Sequence, residues 1–119
     1  MNHFISLSEA STMTALYRSE REAILNPAYQ GQNVLPLSET FDRAAFDTVL
    51  AQEGCTALRI YYGMDEDSKV HGIIVGVNAL NEDMVTVPSS LSAETEEEII
   101  ERGTRCPDIC AEPSPLNGG

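Results

Sequence analysis

Two apolar runs decide the fold of this chain: CTALRIYYG at residues 55–63 and KVHGIIVGVN at residues 69–78. Both runs are rich in β-branched and aromatic residues, which strands favour. The polar stretch MDEDS that separates them is typical of a turn. The sequence therefore predicts an antiparallel hairpin at the centre of the fold.

The length of the turn sets which residues of the hairpin lie opposite each other. A loop over residues 65–68 places Tyr62 opposite His71 and Ile60 opposite Ile73. We expect this register because it gathers the large apolar side chains on one face, whereas a slip of one residue would mix the two faces.

The second face of the hairpin carries the candidate binding residues. In the expected register Arg59 faces Ile74, and Tyr61 faces Gly72. Gly72 and Gly76 leave a shallow trough beside the tyrosine, where an arginine and a phenol could hold a carboxylate or a flat ligand. The alternative, which we favour, is that a helix or a second copy packs on the same glycines.

His71 is the one histidine inside a predicted element, since His3 lies at the start of the chain. A general base needs a partner within hydrogen-bond reach, and Tyr62 is the neighbour that the expected register offers. The sequence places no serine, thiol or carboxylate beside His71. We therefore interpret His71 as a core or edge residue, and we expect no catalytic residue and no cofactor.

Two helices are predicted before the hairpin. The sequence SLSE at residues 6–9 is a capping box, and the apolar spacing that follows it predicts a helix over residues 7–25. Ser38 is expected to cap a second helix, which ends at Gly54. The expected buried stripe of this second helix consists of Phe41, Ala45, Phe46, Val49 and Leu50.

The chain becomes rich in Glu, Pro and Gly after the hairpin. We expect a short third strand over residues 84–87 and then a Glu-rich helix over about residues 93–102. The predicted fold class is thus α+β, with two N-terminal helices packed on a small antiparallel sheet. Residues 1–103 are expected to form a single domain, and residues 104–119 an irregular tail that contains proline and cysteine.

The three cysteines are Cys55, Cys106 and Cys110. The last two have C-x-x-x-C spacing, which differs from the C-x-x-C of redox motifs. A structural zinc site needs four ligands, and three Cys with two His offer no second closely spaced pair. We expect a structural thiol pair or a disulfide between Cys106 and Cys110, and no metal site. The odd number of cysteines favours a reducing compartment, so the predicted location is cytoplasmic.

The charge excludes some classes of partner. The chain has 7 Lys and Arg against 19 Asp and Glu, a net charge of -12. Nucleic-acid binding needs an electropositive surface, and a membrane span needs about 20 consecutive apolar residues. We therefore expect neither nucleic acid nor a membrane as a partner. Acidic residues are dense in residues 84–119, where a basic protein surface is a candidate partner.

Four features carry a resemblance to other sequences: GC at residues 54–55, RIYYG at 59–63, IVGV at 74–77, and the Asp83 turn with the Cys-Pro-rich tail. In these features the chain resembles a group of small uncharacterised bacterial proteins. The resemblance implies a bacterial origin and a single domain. It implies no activity, cofactor or catalytic residue.

These patterns predict a non-enzymatic protein-interaction or assembly module of a bacterial cell, whose partner is another protein or a second copy of the chain. The predicted partner surface contains Arg59, Tyr61, His71 and Ile74. The alternative is a small-molecule-binding protein or an enzyme that uses Arg59, Tyr61 and His71. A thiol or metal protein that uses the Cys106–Cys110 pair is a third and weaker class.

Overall fold

The structure is a computed structural model that describes residues 2–85 and 99–118. Within these residues the protein is α+β, with two α-helices and two antiparallel sheets. The elements in chain order are α1 (Leu7–Glu20), β1 (Ser38–Thr40), α2 (Arg43–Leu50), β2 (Cys55–Met64), β3 (Val70–Asn78), β4 (Asp83–Met84) and β5 (Thr104–Cys106). Strands β2, β3 and β4 form one sheet in that order, and β1 pairs with β5 in the other. None of the helices in the described ranges is both long enough and apolar enough to cross a membrane.

Helix α1 begins at its predicted capping box but ends five residues before the predicted boundary of 7–25. The Ser6 hydroxyl accepts a hydrogen bond from the backbone N–H of Glu9 at 3.0 Å. No residue of α1 is buried. The Tyr17 hydroxyl donates to the carbonyl of Pro36 at 2.7 Å, and Arg21 donates to that of Leu35 at 2.6 Å. These bonds hold α1 to the loop before β1, so its predicted packing on the sheet is not confirmed.

The prediction that Ser38 caps the second helix is wrong. Ser38 begins β1 and pairs with Cys106 of β5, and α2 begins only after its N-cap residue Asp42. The local sequence indicated a helix cap, but pairing with a distant part of the chain holds the backbone of Ser38 in an extended conformation. Leu50, expected in the buried stripe of α2, is 48% exposed.

The predicted hairpin is present, but its predicted register is wrong by one residue. Tyr62 lies opposite Gly72 instead of His71, and Ile60 lies opposite Ile74 instead of Ile73. The glycines therefore lie on the same face as Ile60 and Ile74. The face that carries Arg59 and Tyr61 carries Val75 and Ile73 opposite them.

The turn of the hairpin explains the shifted register. Asp65 Oδ1 accepts hydrogen bonds from the backbone N–H groups of Asp67 and Lys69, at 2.9 and 3.0 Å. Ser68 adopts a left-handed conformation with φ of 63°. These contacts close a turn that pairs Met64 with Val70. The local geometry of the turn thus fixed the register, rather than segregation of apolar side chains.

The core lies between α2 and the face of β3 that carries Ile74. Val49 of α2 is 1% exposed and contacts Ile74 and Ile100 in one cluster. Gly76 allows this approach, because a Cβ atom there would lie 3.2 Å from Val49 Cγ1 and 3.0 Å from Cys55 Sγ. Phe41, Ala45 and Phe46 pack against the cluster from its side.

The segment after the hairpin departs from its prediction in the part that the structure describes. The third strand is Asp83–Met84, whereas 84–87 was expected. Residues 86–98, which include most of the predicted 93–102 helix, lie outside the described residues. Residues 99–102 are not helical, because Ile100 pairs with Ile74 as an isolated bridge and Arg102 has φ of 65°. Strand β5 lies within the predicted irregular tail.

Candidate functional site

The imidazole of His71 lies among three carboxylates that come from three different segments. Its Nε2 is 2.7 Å from Asp65 Oδ2. Its Nδ1 is 3.2 Å from Glu101 Oε1 and 3.8 Å from Glu39 Oε2. The histidine side chain is 19% exposed. We call Glu39, Asp65, His71 and Glu101 the histidine cluster.

Backbone contacts position each carboxylate of the histidine cluster. Glu39 lies in β1, and its Oε1 accepts a hydrogen bond from the backbone N–H of Gly72 at 2.7 Å, which leaves Oε2 beside the imidazole. Glu101 follows Ile100, whose backbone exchanges two hydrogen bonds with Ile74 at 2.8 and 2.9 Å. The first residue of the hairpin turn is Asp65. All three carboxylates are therefore attached to segments that are anchored to β3.

The electrostatics of the cluster are dominated by negative charge. Hydrogen bonds from the backbone N–H of Lys69 and from His71 hold the pKa of Asp65 below its usual range. Within residues 2–85 and 99–118, neither Lys nor Arg forms an ion pair with Glu39, Asp65 or Glu101. His71 Nδ1 and Glu39 Oε2 are buried and have no hydrogen-bond partner there.

Arg59 and Tyr61 are brought together, as the sequence predicted, but both are bonded to Asp83. Arg59 donates to one carboxylate oxygen of Asp83 and to Asn81, and the Tyr61 hydroxyl donates to the other oxygen of Asp83. The hydrogen bond from Tyr61, followed by the contacts of Arg59, lowers the pKa of Asp83. This ionic cluster takes up the polar atoms that were expected to hold a ligand.

The predicted trough beside Tyr61 is absent because of the shifted register. Gly72 and Gly76 lie on the opposite face of the sheet from Tyr61. Ile74, predicted to be part of a partner surface, is 5% exposed and belongs to the core. His71 lies opposite Gly63 instead of Tyr62. The four predicted surface residues therefore divide among the ionic cluster, the core and the histidine cluster.

The outer edge of β3, away from β2, is covered by contributions from several parts of the chain. The backbone N–H of Val70 donates to Val34 at 2.7 Å, that of Gly72 to Glu39, and that of Ile74 to Ile100. β4 continues this edge. The guanidinium of Arg105 donates to the carbonyl of Val70. An exposed strand edge can pair with other strands, but the N–H groups of this edge already have partners within the chain.

The outer edge of β2 contrasts with that of β3. The exposed fractions of the residues whose backbone points to this edge are 38% for Leu58, 55% for Ile60, 78% for Tyr62 and 62% for Met64. In the described parts of the chain no strand pairs with this edge. We call the outward backbone and the side chains of Leu58, Ile60, Tyr62 and Met64 the open edge.

A disulfide joins Cys106 and Cys110, and Cys55 is a free thiol. Cys106 is buried, whereas Cys110 is exposed. The bridge tethers the end of β5 to the segment that follows it. The predicted cytoplasmic location stays a prediction, and the disulfide weighs against it because such bonds persist in oxidising compartments.

No local pattern in the sequence indicates that Glu39 and Glu101 approach His71. They are 32 and 30 residues away from it along the chain, and the first was assigned to a helix cap region. Asp65 carried the one usable signal, because a turn aspartate can reach the start of the following strand. Pairing of β1 with β5 brings Glu39 and Glu101 close to each other.

Comparison of the chain with protein-family models, with curated proteins and with solved structures finds no match in any of the three. The bacterial origin that the resemblance implies stays a prediction.

Proposed function

We propose that the protein is a non-enzymatic interaction module that assembles with a second copy of itself through the open edge of β2. The observation that carries this proposal is the difference between the two edges of the sheet. The edge of β3 is satisfied by Val34, Glu39 and Ile100, whereas that of β2 is exposed and apolar. A long, apolar edge strand is a template for strand addition.

The backbone of β2 has the geometry that strand addition needs. Ile74 donates its N–H to Ile100, away from β2, so the Ile60–Ile74 pair is of the non-hydrogen-bonded type. The N–H and C=O of Ile60 therefore face away from β3. Because this pattern repeats every second residue, the same holds for Leu58 and Tyr62.

The sequence of β2 lacks the residues that protect edge strands. It contains neither lysine nor proline, and its one charged residue, Arg59, is paired with Asp83. The bulge between Cys55 and Ala57 interrupts only the beginning of the strand. The open edge is thus free of the charges and kinks that deter association.

A second copy of the chain fits this edge because the strand that it presents is β2 itself. The net charge of -12 opposes most contacts between two copies, but β2 contains no acidic residue. In an antiparallel pair with Ile60 opposite itself, Leu58 lies opposite Tyr62 of the second copy. These residues exchange both backbone hydrogen bonds, and their side chains form cross-strand apolar pairs. Arg59 then faces Tyr61 rather than another arginine.

The test is sedimentation of the full chain over a concentration series, with and without Tyr62→Lys. The wild-type protein is expected to form a dimer that dissociates on dilution, and the variant is expected to be monomeric because a lysine at the edge repels a second strand. Leu80→Lys is the matched control, since Leu80 is also 78% exposed but lies in a turn outside the sheet. A wild-type monomer at every concentration would refute the proposal, as would a dimer that Tyr62→Lys leaves intact.

The alternative function, a small-molecule site made of Arg59, Tyr61 and His71, has less support. Arg59 and Tyr61 are bonded to Asp83, and His71 belongs to a different cluster. The proposed partner surface is accordingly the strand edge rather than the face. The proposal that a basic protein binds residues 84–119 stays a prediction, because four of the seven acidic residues there lie outside the described ranges: Glu94, Glu96, Glu97 and Glu98.

A further inference from the structure

The histidine cluster holds two buried acceptor atoms close together without a donor between them. His71 Nε2 faces Asp65 Oδ2, an acceptor, so Nε2 carries a proton, and in the neutral ring Nδ1 then presents a lone pair. That lone pair lies 3.8 Å from Glu39 Oε2 and 3.2 Å from Glu101 Oε1. Neither Nδ1 nor Glu39 Oε2 has a hydrogen-bond partner in the described chain. Facing acceptors repel each other unless a cation lies between them.

We propose that Glu39, His71 and Glu101 bind a divalent transition-metal ion through Oε2, Nδ1 and Oε1. This site is separate from the open edge of β2 and does not depend on assembly of two copies. It also replaces the expectation from the sequence that the chain has no metal site, which rested on the lack of a second closely spaced pair among the three cysteines and two histidines.

The spacing of the three ligand atoms fits such an ion. One ligand atom from each of the three residues lies within 4.8 Å of the other two. Ligands at about 2.0–2.2 Å from a tetrahedral or octahedral ion are about 3.0–3.5 Å apart, so small side-chain movements complete the site. One imidazole and two carboxylates suit zinc, manganese, iron or cobalt, whereas calcium and magnesium prefer oxygen ligands alone.

The surroundings of the ligands match those of metal sites. Asp65 accepts the Nε2 proton and fixes the ring orientation, which is the role of the carboxylate in a carboxylate–histidine–metal arrangement. The N–H of Gly72 holds the second oxygen of Glu39. Gly103 leaves room for Glu39, because a Cβ atom there would lie 3.1 Å from Oε2. The ion also offsets a set of three carboxylates with no arginine or lysine ion pair among the described residues.

The experiment is a titration of the chelator-treated full chain, with its disulfide intact, with Zn²⁺ by calorimetry and with Co²⁺ by absorption. We expect one ion per chain, and Co²⁺ bands in the visible range without the near-ultraviolet band of a thiolate ligand. Glu39→Gln and Glu101→Gln keep the shape of each side chain and are expected to weaken Zn²⁺ binding more than about tenfold. Asp65→Asn is expected to weaken it about 10- to 100-fold.

Two controls separate this site from other causes of metal binding. Glu9→Gln removes a remote carboxylate, and Cys55→Ser removes the free thiol, so both are expected to leave the affinity unchanged. Circular dichroism of each variant shows whether it is folded.

Absence of Zn²⁺ binding by the wild type would overturn the proposal, and so would binding that persists in folded Glu39→Gln and Glu101→Gln. A doubly protonated His71 at neutral pH, seen by ¹⁵N NMR in the presence of Zn²⁺, would also overturn the proposal, because Nδ1 would then carry a proton and could not bind the ion. Titration of Tyr62→Lys, which is expected to bind Zn²⁺ normally, keeps this test independent of the dimer.

Discussion

The close contact between Val49 and Gly76 allows the stability of core variants to be predicted quantitatively. Val49 is 1% exposed, and Val49→Ala removes two methyl groups from a closed cluster. At about 0.8 kcal/mol for each buried methyl, plus a term for the cavity, the free energy of unfolding falls by about 2–3 kcal/mol. Gly76→Ala adds a methyl 2.8 Å from Gln52 Oε1, 3.0 Å from Cys55 Sγ and 3.2 Å from Val49 Cγ1, and it is expected to cost about 1–3 kcal/mol through overpacking.

The double variant tests whether the two positions share the same space. The methyl of Gly76→Ala partly fills the cavity that Val49→Ala leaves, so the combined loss is expected to be about 1 kcal/mol smaller than the sum. Urea unfolding followed by circular dichroism measures all three variants. Val85→Ala, at a side chain that is 41% exposed, is the control and is expected to change stability by less than about 0.5 kcal/mol. A neutral Gly76→Ala, or a loss from Val49→Ala no larger than that from Val85→Ala, would refute the close packing of α2 on β3.

Two further predictions concern charge and the disulfide. The hydrogen bond from Tyr61 lowers the pKa of Asp83 in the folded protein below the unfolded-state pKa of 3.8. The stability that this bond contributes is therefore fully present above pH 3.8 and is lost as the pH falls through the folded-state pKa. Asp83→Asn is therefore expected to lower the midpoint of urea unfolding at pH 7, and the midpoints of variant and wild type are expected to converge in acid. A difference in midpoint that stays constant down to pH 2 would contradict this origin. Asp67→Asn, at the hairpin tip, is the control. Reduction of Cys106–Cys110 opens a loop with a sequence separation of 4, so we expect a loss of about 2 kcal/mol at most in a urea titration with and without reductant. A much larger loss would show that the bridge holds more of the fold than its own short loop.

The sequence predicted the local elements of the fold better than their arrangement. The capping box at residues 6–9 and the two apolar runs of the hairpin were correct, because both signals depend on neighbours in the chain. The register was wrong because the contacts of Asp65 with the turn outweighed apolar segregation. Ser38 was assigned to a helix cap because its strand partner, Cys106, comes from a distant segment that reads as an irregular tail.

The histidine cluster shows the same limit for the candidate sites. His71 was identified as a residue of interest, but Glu39 and Glu101 reach it only because β1 pairs with β5 and Ile100 pairs with Ile74. Arg59 and Tyr61 were correctly placed on one face, yet their partner Asp83 comes from β4, across β3. Pairings between distant segments decide which side chains meet, and no local periodicity encodes them.

Amide hydrogen exchange at the open edge measures the proposed assembly at the atoms that form it. The backbone N–H groups of Leu58, Ile60 and Tyr62 face away from β3, whereas those of Arg59 and Tyr61 face it. We predict that the first three become protected as the protein concentration rises and exchange rapidly on dilution, while the other two stay protected throughout. Rapid exchange of the Leu58, Ile60 and Tyr62 amides at every concentration would contradict pairing through the edge of β2.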